Sequence, residues 1–196
     1  MRVEHLFPDG GIEAGSLVNH YRREGYAIIR KLFSSEEIAA IACAIDQIYG
    51  EGMPHSRSFR HGNLFYNVMP GAGGEPLVRL VQWPSYHQPV LNAVRLDRRM
   101  ADVVAPMIGR DLKQIINQLH WKPKGGNSDF AWHQDSRFRR PASAYRDLGD
   151  SYVQTGLAID PHTRASGAMR FIPKSHLRGD LHMDVAGPSV LSTAMA

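Results

Sequence analysis

One cysteine, Cys43, is all that the 196 residues contain. A single thiol excludes an internal disulfide framework and a zinc site built from cysteines alone. Long apolar runs are missing too: no stretch approaches the roughly 18 residues that a membrane helix needs. The opening residues, MRVEHLFPDGG, place no apolar stretch behind a basic start, so the pattern of a secretory leader is absent. There is no dense Lys/Arg stripe. The formal net charge of +4, with ten histidines counted neutral, falls short of a nucleic-acid footprint and suits small acidic molecules better. No internal repeat or low-complexity tract interrupts the chain. These absences make a cytoplasmic location the expectation, with neither nucleic acid nor membrane as partner. What remains, 43% apolar and 21% charged residues, is the composition of an ordinary globule of one domain.

The chain changes character near its middle. Residues 12–24 read as a short helix stopped by Gly25, and Tyr26-Ala27-Ile28-Ile29 as a short strand. Ser34 and Glu37 have the spacing of a capping box. Behind them Ile38, Ile41, Ile45 and Ile48 share one helical face, with Gly50 as the stop. Residues 51–74, rich in Gly, Pro and polar groups, read as a long loop, and 97–108 as a third helix between Asp97 and Gly109. Beyond 110 the pattern turns extended: 111–121, about 130–135, 152–160 and 167–172 predict strands, separated by polar loops at Pro141, Gly149, Pro161 and Gly167. Helices over 1–110 followed by barrel strands over 111–196 make an α+β chain forming one domain, its antiparallel sheet or barrel carrying the chemistry.

The segment AWHQDSRF at 131–138 is the best candidate site. On a strand, residues i and i+2 project from one face, so His133 and Asp135 would stand side by side, with room between them for one divalent ion. Two histidines and one carboxylate on one face of iron(II) leave three positions for substrate and oxygen. The second histidine must come from elsewhere. Spacing alone is weak: among ten histidines and twelve aspartates a chance pair is expected, and a second does occur at His182-Met183-Asp184.

Context favours the first pair. Lys122-Pro123 precedes Trp132-His133-Gln134-Asp135, and Ala165-Ser166-Gly167-Ala168 and then Ile172-Pro173-Lys174-Ser175-His176 follow. In that order, with GYAIIRKLFSSEEIAAI at 25–41, these segments resemble the phytanoyl-CoA dioxygenase family over most of the chain. The resemblance implies a double-stranded β-helix of the jelly-roll or cupin type with N-terminal helices. It also implies Fe(II), 2-oxoglutarate as cosubstrate, and oxidation of a small-molecule substrate with O2. His133 and Asp135 match the family's first metal-ligand block. Related iron halogenases carry a small residue in place of the carboxylate, so Asp135 implies hydroxylation.

The family's second histidine ligand, and the arginine that grips 2-oxoglutarate, lie far downstream of the first. Only 61 residues follow Asp135, and the last twelve, VAGPSVLSTAMA, hold neither His nor Arg. The expectation is therefore a chain that lacks its C-terminal strands, with a non-catalytic fragment or binding protein as the alternative to an oxygenase. A zinc-dependent cupin isomerase or hydrolase is a third reading, disfavoured because no further His or Glu stands near the pair. Stand-ins for the missing ligand are His176, in the Ser-His turn, and His182 or Asp184.

Gln118, four residues before Lys122-Pro123, matches a place where family members touch 2-oxoglutarate. By alternation it shares a face with His120 and Lys122. Arg79, in the apolar run LVRLVQW, is the other cosubstrate candidate. Phe138 would shape the substrate pocket, Trp132 would be core, and Arg137, Arg139 and Arg140 would attract an acidic substrate. Cys43 reads as a small residue at least half-buried in its helix. Nothing in the sequence fixes a particular substrate or an oligomeric state.

Overall fold

The computed structural model describes residues 14–123, 132–139 and 141–179. Its organising element is a helix whose start is written in the sequence. Ser34 Oγ accepts from the Glu37 N–H at 3.2 Å, and the Ser34 N–H donates to Glu37 Oε2 at 2.7 Å, completing a capping box. From there α2 runs over Ser35–Gly52, through Gly50, which does not stop it. Ile41, Ala44 and Ile48 are buried, and Ile38 and Ile45 flank them, so the stripe of isoleucines is the core face.

Before it lies α1 (Ala14–Glu24). Gly25, at φ +84°, closes that helix by donating to Tyr21 O at 2.7 Å. Residues 26–29 form no strand; Tyr26 instead stacks on Phe171 with ring centroids 5.1 Å apart.

The segment 51–74, expected as a loop, carries much of the sheet. β1 (Phe59–His61) and β2 (Leu64–Pro70) form a hairpin across Gly62-Asn63, with Gly62 at φ +58°. β3 (Pro76–Gln82) follows, and β4 (Gln118–His120) completes an antiparallel sheet in the order β1-β2-β3-β4. Between β3 and β4 come α3 (Pro89–Arg95), started by Pro89 with Gln88 as its cap, and α4 (Arg98–Ile108), capped by Asp97 as the sequence predicts.

One face of the sheet packs on α2. Leu64, Tyr66 and Val68 of β2 and Val78 and Val81 of β3 are buried there with Leu91 of α3. Val78 and Val81 are three apart, which strict alternation forbids. The register supplies the reason: Asn67 pairs with Leu80 but Val68 pairs with Val78, so Arg79 is an extra residue, a β-bulge. Arg79 and Leu80 therefore both point away from α2.

Helices first and strands later is thus corrected: three of the four strands precede residue 83. Only 118–120 of the expected strand 111–121 is paired, and none of the expected strands at about 130–135, 152–160 and 167–172 is formed among the described residues. Cys43 is exposed on α2, not half-buried. No helix among the described residues is long and apolar enough to cross a membrane.

Candidate metal centre

His133 and Asp135 do meet, although not on a strand. Asp135 opens a 3-10 turn over Asp135–Phe138, with Gln134 before it in extended conformation. The turn brings Asp135 Oδ1 to 3.3 Å from His133 Nε2. Two ligands at right angles, each about 2.1 Å from one ion, lie roughly 3 Å apart. An imidazole and a carboxylate oxygen at this separation fit adjacent positions on one divalent metal. Both side chains are about one-third exposed, as an open site requires.

Several contacts hold this segment. Gln134 Nε2 donates to Gly179 O at 3.0 Å, the Phe138 ring meets the His133 ring edge-on at 5.6 Å, and Arg170 lies over the Trp132 ring at 5.1 Å. Trp132 is thus half-buried under an arginine, not core, while Phe138 is largely exposed. The Arg139 guanidinium packs over the Tyr152 ring and donates from Nη2 to its hydroxyl at 2.8 Å. The Arg137 side chain and Arg140 lie outside the described residues.

Gln118 and His120 occupy alternate positions of β4, opposite Gln82 and Leu80, on the sheet face turned away from α2. The bulge delivers Arg79 to that same face, where Nη1 donates to Met69 Sδ at 3.5 Å and Arg79 O accepts from the Trp121 N–H. Electrostatics link this face to the His133–Asp135 pair. Crowding by protein atoms is the first cause holding the His120 imidazole below its ordinary pKa. Arg79 and Lys122 add to the lowering, and the Asp135 charge opposes it. Burial raises the Tyr152 hydroxyl above its ordinary value; Asp135 pushes the same way and Arg139 opposes. Lys122 Nζ in turn bonds Gly167 O, tying the Lys-Pro segment to the Ser-Gly turn.

Tyr152 is an addition to the residues singled out from the sequence, whereas alternation already places His120 on the face of Gln118. No local pattern points to Tyr152. His176, a candidate stand-in ligand, is engaged elsewhere: its Nε2 donates to Arg22 O. His182 and Asp184 lie outside the described residues. Among the described residues, no three His, Cys, Asp or Glu side chains gather as a metal-binding group.

The family model for phytanoyl-CoA dioxygenase (PhyH) matches residues 21–193. The chain belongs to the PhyH family. Relatives of this PhyH chain include a probable alpha-ketoglutarate-dependent hypophosphite dioxygenase of Stutzerimonas stutzeri, 25% identical over 157 residues that cover 80% of this chain and 51% of the relative. An ectoine dioxygenase of Bordetella parapertussis is 21% identical over 159 residues, covering 81% of this chain and 48% of the relative. The chain thus spans about half the length of these curated relatives. No solved structure matches the chain significantly.

Proposed function

We propose that the protein is an Fe(II)- and 2-oxoglutarate-dependent oxygenase that hydroxylates a small organic molecule. The observation that carries this reading is the 3.3 Å separation of His133 Nε2 and Asp135 Oδ1 in a PhyH-family chain. The names of the relatives, dioxygenases of hypophosphite and of ectoine, support the same reaction class. The family resemblance extends the reading to a double-stranded β-helix, of which the four-stranded sheet would be one part, within a single domain.

His133 and Asp135 would hold the iron through one imidazole nitrogen and one carboxylate oxygen. When bound, iron with 2-oxoglutarate supplies the activation of O2 and the oxidising power. This chain's own part is ligation, orientation and exclusion of water. Gln118 and Arg79, on the same sheet face turned from α2 with His120 between them along the strands, would bind 2-oxoglutarate. The guanidinium offers charge-assisted hydrogen bonds to a carboxylate, and the amide adds a neutral donor. Tyr152, close enough to feel Asp135, would form part of the wall around the substrate.

The test is binding of iron(II) and 2-oxoglutarate to protein purified without oxygen, followed by visible absorption of the ternary complex. Succinate release with a panel of small molecules follows. Wild type should bind iron, while His133→Ala and Asp135→Ala should bind none; 2-oxoglutarate binding and succinate release then carry the reading from metal site to oxygenase. A wild type that binds neither would overturn the reading and leave a non-catalytic binding protein in its place.

A further inference from the structure

Gln118 and His120 are bonded to each other within β4: His120 Nε2 lies 3.2 Å from Gln118 Oε1. An amide oxygen only accepts, so this contact requires a proton on Nε2 of His120. The ring sits opposite Leu80, next to the bulged Arg79. The surrounding protein first, then Arg79 and Lys122, disfavour a second ring proton, with Asp135 opposing. A neutral ring whose one N–H is on Nε2 donates to Oε1 in this arrangement.

In that tautomer the ring also sets which way the Gln118 amide faces. A primary amide carries oxygen and nitrogen on opposite branches of one plane. With Oε1 committed to His120, the nitrogen branch and its two N–H donors turn away from the imidazole. A glutamine left to rotate freely would have to give up that freedom to turn its nitrogen to an anion, because an oxygen facing a carboxylate repels it.

We propose that His120 is a positioning residue that orients the Gln118 amide so that it donates to a carboxylate oxygen of 2-oxoglutarate. The proposal rests on the reading of Gln118 as a cosubstrate contact and adds the residue that gives that contact its polarity. His120 acts through Gln118 and touches neither iron nor cosubstrate.

Two measurements test it. Long-range nitrogen–proton correlation on the protein without ligands, near neutral pH, reports which ring nitrogen of His120 is protonated; Nε2 is expected, and Nδ1 overturns the proposal whatever the protein binds. Affinity for 2-oxoglutarate, with iron present and oxygen excluded, is then compared across variants. His120→Ala should weaken it roughly five- to tenfold, the worth of one net hydrogen bond, while kcat changes little. His120→Gln, which keeps a donor at the same reach, should restore it to within about twofold. His120→Glu, which only accepts and so reverses the amide, should be worse than His120→Ala. In the Gln118→Ala background, His120→Ala should add nothing, because the two act as one unit. An undiminished loss in that background, or a His120→Glu protein that binds as wild type does, overturns the proposal. If wild type fails to bind 2-oxoglutarate, the cosubstrate reading falls and takes the proposed ligand with it; the tautomer result still separates that failure from a wrong amide direction.

Discussion

His176 Nε2 donates to the carbonyl oxygen of Arg22 at 2.8 Å, across 154 residues of sequence. Arg22 belongs to the last turn of α1, where carbonyls have no partner within the helix. The Lys174 N–H takes Glu24 O at 2.9 Å in the same turn. The Ser-His turn is therefore a cap on a helix from the other end of the described chain. It follows that His176→Ala should lower the unfolding free energy by about 1 kcal/mol and leave iron binding intact. Gly25→Ala should cost more, because Gly25 has φ +84° and a Cβ there would collide with the His176 ring. Urea denaturation and metal analysis of the two variants check both statements.

Acid should loosen the junction of α2 and α4. Arg99 donates to Glu37 Oε1 and Oε2 at 2.6 and 3.0 Å and to Asp97 Oδ1 and Oδ2, while lying over the Phe33 ring. These bonds, with backbone N–H groups of Ser34 and Arg99, hold both carboxyls below their ordinary values. A carboxyl lowered on folding binds fewer protons in the folded state. Its stabilisation is present above the unfolded pKa, about 4–4.5, and is lost as pH falls through the lowered value. The urea midpoint should fall on acidification below about pH 4.5, and Arg99→Met should flatten that dependence.

Tyr66 is fully buried and donates to Glu51 Oε2 at 2.7 Å, while Oε1 meets His87 Nε2 at 3.1 Å. Burial would raise the Glu51 carboxyl, but the hydrogen bonds from Tyr66 and His87 outweigh it and hold the group low. Tyr66→Phe should cost about 1.5–3 kcal/mol, the range for a hydrogen bond to a charged group. Burial and then Glu51 push the Tyr66 hydroxyl well above the ordinary range. Absorbance titration of tyrosinate below about pH 11 should therefore be unchanged by the same substitution.

Arg79→Ala should raise the KM for 2-oxoglutarate by roughly ten- to a hundredfold, the loss of one charge-assisted contact. Arg79→Lys should recover only part of it, since an ammonium lacks the planar fork. Steady-state kinetics on both variants decide the matter; an unchanged KM would remove Arg79 from the site.

What was legible in the sequence is what local chemistry decides. Ser34 and Glu37 announce the start of α2, its isoleucine stripe announces the core, and Asp97 and Gly109 bracket α4. The hairpin was hidden because Gly and Pro around it suggest a loop, although Gly62-Asn63 is itself a tight-turn pair. α3, seven residues long, is too short to show a period, and only Pro89 hints at it. The His-x-Asp spacing singled out the two residues that meet, but for the wrong backbone: the approach is made by a 3-10 turn, and the crossing of Lys122 to Gly167 depends on contacts far apart in sequence.

The extra residue in β3 makes the length of that strand as consequential as its composition. Deleting one residue between 77 and 81 would remove the phase change that lets Val78 and Val81 face α2 together. One valine would be turned out to solvent, or the strand would slip and carry Arg79 off its face. The turn at 71–74, where Gly71 and Gly74 bond to each other and no strand register is at stake, can lengthen at little cost. In β3, then, counting residues is a way of aiming a guanidinium, and an insertion a few positions earlier is merely more loop.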